Sequence, residues 1–162
     1  MIKLFRSFLL LAALLLGWQR PGSAQVFEWA RIARKLTSST SAVPVSVTDA
    51  AGNTYTAIQF QGQLQVGPQT LTSSINPTSV LTKYASSGQI IWTKVLTGIG
   101  VEELALDPTT GGFYCSGTLQ AGATWDGSPV TATGPYFYGK ASAAGAVLWT
   151  NSLPAIYSST PR

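Results

Sequence analysis

The sequence contains no histidine, a single cysteine (Cys115), and only six acidic residues in 162. The missing histidine excludes a Ser-His-Asp triad and any imidazole-ligated metal site. One thiol closes no intrachain disulfide and supplies no cysteine cluster for zinc. Cys115 lies in an apolar alternation and reads as a small buried hydrophobe rather than a reactive group. Charged residues make up 10 % of the chain, which leaves no basic stripe of the kind that nucleic-acid binding needs. Glu102 and Glu103 are adjacent, and on a regular strand adjacent side chains point to opposite faces, so they do not read as a glycosidase-type carboxylate pair. Gly98-Ile99-Gly100 lacks the third glycine and the helix of a phosphate loop and reads as a turn. No cofactor is implied.

Long apolar runs are confined to one place. Lys3 and Arg6 precede an unbroken apolar stretch from Phe8 to Leu16, and Gly22-Ser23-Ala24 follows as a small-residue end. That is the pattern of a secretory signal peptide over 1–24, cleaved after Ala24. The stretch is shorter than the roughly 20 apolar residues of a bilayer-spanning helix, so no membrane span is expected after cleavage. Export to the cell surface, the periplasm or the medium follows. Removing Lys3, Arg6 and Arg20 from ten basic residues leaves seven against six acids, a net of +1. Arg31, Arg34 and Lys35 form a small solvated cluster near the mature N-terminus.

What remains is rich in Ser, Thr, Gln and Gly, with aromatic and β-branched residues throughout. The pattern is β. Val43, Val45 and Val47 alternate with polar residues, the period of a half-buried strand. Asp49-Ala-Ala-Gly52-Asn53 then turns the chain into a strand from Thr54 to Phe60. Gln61-Gly62 and Gly67-Pro68 punctuate short pieces. Strands are expected over 79–85 and 89–96 around Ser86-Ser87-Gly88. The route then repeats: a strand over 101–106, a turn over 107–112, a strand over 113–119. A final pair covers 136–141 and 146–150 around Ala143-Ala144-Gly145.

Spacing makes the repetition quantitative. Lys83 to Lys140, Gly88 to Gly145 and Trp92 to Trp149 are each 57 residues apart, Asp49 to Asp107 is 58, and Tyr55 to Tyr114 is 59. Several matches in order, drawn partly from scarce residue types, mark an internal repeat. The chain is expected to divide into an N-terminal segment leading into the first unit (25–42), two units (43–96 and 97–150) and a C-terminal tail or truncated start of a third unit (151–162). Trp29 is a candidate for the same aromatic ahead of the first unit.

The quoted residues resemble the Bacteroidetes-type exported β-propeller repeat (SBBP-like) family. The matches are Asp49, Gly52, Asn53 and Tyr55, then Lys83, Tyr84, Gly88 and Trp92; the second unit matches through Asp107, Gly111 or Gly112, Tyr114, Gly117, Lys140, Gly145 and Trp149. The resemblance implies an all-β, antiparallel β-propeller-like fold with two blades of about four strands. Propellers usually close with four to eight blades. Two units therefore fit a fragment of a longer repeat protein, a homo-oligomeric ring, or a small sandwich-like fold. The function expected is a non-enzymatic module for protein–protein or cell-surface interaction. A carbohydrate-binding lectin made by oligomeric closure is the alternative.

Individual residues are read accordingly. Asp49 and Asp107 lack the dense alternating oxygens of a calcium loop and are expected to cap their turns. Lys83 and Lys140 are candidates for salt bridges between blades. Trp92 and Trp149 are expected in the core. Trp125, Tyr136 and Tyr138 are the candidate ligand contacts, because aromatic faces supply large contact area at low entropic cost.

Overall fold

A computed structural model describes residues 33–37, 44–131 and 133–154. The leader, Trp29, Arg31 and the residues beyond Pro154 lie outside the described residues. Among the described residues the fold is all-β and the strand pairing is antiparallel throughout.

One large sheet carries most of the chain, in the order β11 (Val147–Leu153), β10 (Tyr136–Ala141), β8 (Phe113–Trp125), β7 (Ile90–Leu106), β6 (Thr78–Tyr84), β3 (Thr54–Gln59) and β2 (Val45–Thr48), with the short β9 (Ser128–Pro129) paired to the end of β8. It curls strongly, in the manner of a half-barrel, and β2 returns against β7. A separate three-stranded sheet joins β1 (Ala33–Lys35), β4 (Gly62–Val66) and β5 (Gln69–Ser73).

Two strands expected on either side of a Gly98–Gly100 turn are one continuous 17-residue strand, β7. The glycines bend the strand without ending it. Gly98 has φ of 71°, and a side chain there would come within 3.2 Å of the Ala123 backbone. The register shifts across Thr97 to Ile99, so β7 leaves β6 and continues on β8. β8 likewise runs past its expected end at Leu119 to Trp125. Asp126 and Gly127, both at positive φ, close its hairpin with β9. This Asp-Gly pair is the sequence preferred for a two-residue hairpin turn whose twist matches its strands.

The main core lies between the two halves of the curled sheet. Tyr55, Leu81, Leu96, Ile99, Phe113, Trp125, Phe137 and Ala141 are all buried in it. Phe113 is fully enclosed between Tyr55 (ring centroids 5.3 Å apart) and Trp92 (6.3 Å). A second cluster of Phe60, Leu64, Val66 and Val80 sits under the β1–β4–β5 sheet, on the other side of the first half.

Candidate functional site

Two turns frame the site. At Asp49 the backbone N–H donates to Asn53 O (2.8 Å), and Gly52 N–H donates to Asp49 O (2.9 Å). At Asp107 the corresponding bonds run from Asp107 N–H to Gly112 O and from Gly111 N–H to Asp107 O, both 2.9 Å. Gly52 and Gly111 both sit at positive φ, which a side chain tolerates poorly. Each aspartate also takes a nearby N–H: Oδ1 of Asp49 from Ala51 (3.0 Å) and Asn53 (2.8 Å), Oδ1 of Asp107 from Thr109 (2.9 Å). Burial pushes the Asp49 carboxyl up, but the bonds from Asn53 and Ala51 outweigh it and hold the group low.

Asp107 carries a further load. Lys140 Nζ lies 2.6 Å from Oδ2, and Thr110 Oγ1 donates to the same oxygen. The Lys140 bond, then those from Thr110 and Thr109, hold Asp107 well below the usual carboxylate range. Lys140 is raised in turn, chiefly by Asp107. The salt bridge expected between units is therefore local for Lys140, because the β8–β10 register brings it beside the turn of its own half. Lys83 instead donates to the Ala143 carbonyl at 3.5 Å.

From these turns a three-rung ladder crosses the sheet in each half. Tyr55 pairs with Lys83, and Lys83 with Trp92. Tyr114 pairs with Lys140, and Lys140 with Trp149. Directly paired residues share a sheet face, so each ladder is a contiguous patch. The ammonium groups lie over the tyrosine rings, at 4.6 Å for Lys83 on Tyr55 and 5.1 Å for Lys140 on Tyr114. Cation–π attraction of this kind holds a lysine flat on an aromatic surface. A bulge follows the lysine in both ladders, between Lys83 and Tyr84 and between Lys140 and Ala141.

The ladders differ in what lies above them. The first is covered: Tyr55 Oη donates to Gly111 O (3.2 Å), Trp92 Nε1 donates to Ala143 O (3.1 Å), and Phe113 packs between their rings. The second is open. Tyr114, Tyr136, Tyr138, Trp149 and Leu153 are 40–46 % exposed, and their register puts all five on one face of β8, β10 and β11. Tyr138 meets Trp149 edge-on at 5.9 Å, and Tyr114 lies tilted to it at 6.3 Å. A contiguous exposed aromatic face rimmed by polar groups marks an interaction surface.

A cleft of about 540 Å³ adjoins this face, lined by Val45 and Ser46 of β2, Glu102 and Glu103, and the rings of Tyr114 and Tyr138. The two glutamates do not alternate as expected. The register shifts between Val101 and Glu103, so Glu102 is the extra residue of a bulge and both are exposed. Glu103 accepts a hydrogen bond from Ser116 Oγ (3.0 Å). Cys115 is buried on the reverse face, where desolvation pushes its thiol up to about 12.

Two sequence expectations are corrected here. Trp125 is 2 % exposed and donates its Nε1 to Gly145 O (2.9 Å), so its ring fills the core and offers no face to a ligand. Trp149, expected in the core, is on the open face, since nothing among the described residues folds over it as the second half folds over Trp92. Tyr136 and Tyr138 are exposed and adjacent on that face. Residue reasoning missed Tyr114 and Trp149 as members of the same surface. Their signal was available, because the 57-residue lysine spacing places Lys140 between them as Lys83 lies between Tyr55 and Trp92. No family model, curated protein or solved structure matches this chain.

Proposed function

We propose that this chain is an exported, non-enzymatic interaction module built from two propeller-type units. It acts by protein–protein contact at a cell surface through the open face of its second unit. The observation that carries the reading is the Tyr114–Tyr138–Trp149 cluster, a preformed aromatic surface on rigid strands. Strands enriched in aromatics present large contact area with little entropy to lose. The matching turns, ladders and bulges of the two halves support the repeat reading and the resemblance to exported propeller repeats.

A glycan is the second reading. It is favoured by the exposed rings of Tyr136 and Tyr138 standing beside the polar side chains of Asn151 and Ser116 on the same face.

Retention of the protein on its producing cells tests the module reading. A fluorescently labelled wild-type chain is expected to bind the cells. A Tyr138→Ser/Trp149→Ser variant with an unchanged circular dichroism spectrum is expected to be lost from them. Equal retention of the two sinks the proposal. Competition by free sugars, with the protein fold intact, would move the reading to a glycan.

A further inference from the structure

We propose that the cleft beside the open ladder is the anchor point for the partner protein, and that it takes an arginine side chain carried on an extended segment of that partner. The inference rests on the reading of that face as a protein-binding surface and names the chemistry of what binds there.

The two halves compare row by row. One row beyond the lysine ladder, the first half pairs Val45 with Ala57, Ala57 with Leu81 and Leu81 with Lys94. At the same place the second half pairs Glu103 with Ser116, Ser116 with Tyr138 and Tyr138 with Asn151. Ala57 and Leu81 are buried in the core, whereas their counterparts Ser116 and Tyr138 line the cleft. The charge changes along with the burial. A carboxylate stands in place of Val45 and an amide in place of Lys94, so the second row has gained a negative charge and lost a positive one. Apolar packing of the kind that covers the first half would strand these polar groups, and a partner of opposite charge would not.

The bulge adds a second carboxylate. On a regular strand Glu102 would point away from Glu103, but the register shift between Val101 and Glu103 brings both into the wall of the cleft. Among the described residues neither enters an ion pair: Lys94 is taken by Asp126 and Lys140 by Asp107. No basic side chain lines the cleft among the described residues. Two adjacent carboxylates therefore hold a negative potential in a concave site, which attracts a cation.

The rings select among cations. This fold already lays ammonium groups on tyrosines, Lys83 over Tyr55 and Lys140 over Tyr114. Tyr138 sits in the same row as Glu103 with its ring exposed. A guanidinium meets both demands, because its plane stacks on a ring while its forked N–H groups bond carboxylates. The cleft, at about 540 Å³, has room for that side chain and for backbone beside it.

Amide NMR titration of the isotope-labelled protein with the capped tripeptide acetyl-Gly-Arg-Gly-amide tests this. Saturable shifts are expected at Glu103, Ser116 and Tyr138, with a Kd of about 1–10 mM for a lone anchor. The same tripeptide with citrulline, which keeps the shape and loses the charge, is expected to bind at least about fivefold more weakly. Glu102→Gln/Glu103→Gln keeps an acceptor for Ser116 and removes both charges, and it is expected to weaken the arginine peptide by a similar factor. Circular dichroism verifies its fold. Equal binding of the two peptides, undiminished binding to the glutamine variant, or no saturable shift up to about 50 mM would each overturn the proposal. On producing cells the glutamine variant is expected to be retained less than the wild type. Retention lost in Tyr138→Ser/Trp149→Ser but intact in the glutamine variant would overturn the arginine anchor and leave the module reading standing. Equal retention of all three proteins would sink both.

Discussion

Replacing Phe113 with alanine removes the ring that joins the two halves of the sheet. Phe113 is 0 % exposed and lies between Tyr55 and Trp92, with centroid distances of 5.3 and 6.3 Å. The position cannot collapse easily, because it is bounded by the Asp107 turn on one side and the covered ladder on the other. A fully buried Phe→Ala change in such a setting costs about 3–5 kcal/mol. With a urea m-value of about 1–3 kcal/mol/M for a domain of this size, the midpoint is expected to fall by roughly 2 M. Phe113→Leu keeps most of the volume and is expected to cost less than about 1.5 kcal/mol. Urea unfolding followed by tryptophan fluorescence and by circular dichroism measures both variants. A single shifted transition seen by both probes is expected, since the core is shared by the two halves. A loss below about 1 kcal/mol in the alanine variant would refute a common core, on the same transfer-plus-cavity reasoning. So would two separate transitions in the wild type.

Gly117→Ala is expected to destabilise by more than about 1 kcal/mol and to lower Tm in a thermal melt, because the new Cβ would lie 1.9 Å from the Gly100 carbonyl oxygen at a positive φ. Trp125→Phe keeps the apolar ring but orphans the buried Gly145 carbonyl, at a cost of about 1–3 kcal/mol read from chemical denaturation. Asp107 is held below its ordinary pKa by Lys140, Thr110 and Thr109, so its contribution is fully present above about pH 4 and is lost as pH falls further. Acid unfolding should accordingly be shallower in Asp107→Asn than in the wild type. The Cys115 thiol, pushed up to about 12 by burial, is expected to resist a disulfide reagent at pH 8 in the folded protein and to react at once in denaturant.

Much of the strand order was legible because turn chemistry is local. Asp49 with Gly52 and Asp107 with Gly111 read as turns from residue type alone, and the 57-residue spacing matches Lys83 to Lys140 and Trp92 to Trp149. Three features were not legible. Glycine at 98 and 100 bends a paired strand instead of breaking it, since the neighbouring strands keep their hydrogen bonds across the bend. The bulge at Glu102 breaks the alternation on which the opposite-face argument for Glu102 and Glu103 depended. The different fates of Trp92 and Trp149 depend on what folds over each, which is a long-range property. Identical spacing cannot tell a covered ring from an open one. Trp125 shows the reverse: a candidate ligand contact by residue type, it turns its indole into the core, where it reaches Gly145.

The difference between the two ladders is the centre of the account, and hydroxyl-radical footprinting of the purified protein tests it most directly. At micromolar concentration Tyr114, Tyr138 and Trp149 are expected to be oxidised several-fold faster than Tyr55 and Trp92. Equal oxidation of Trp92 and Trp149 in the dilute protein would contradict the account.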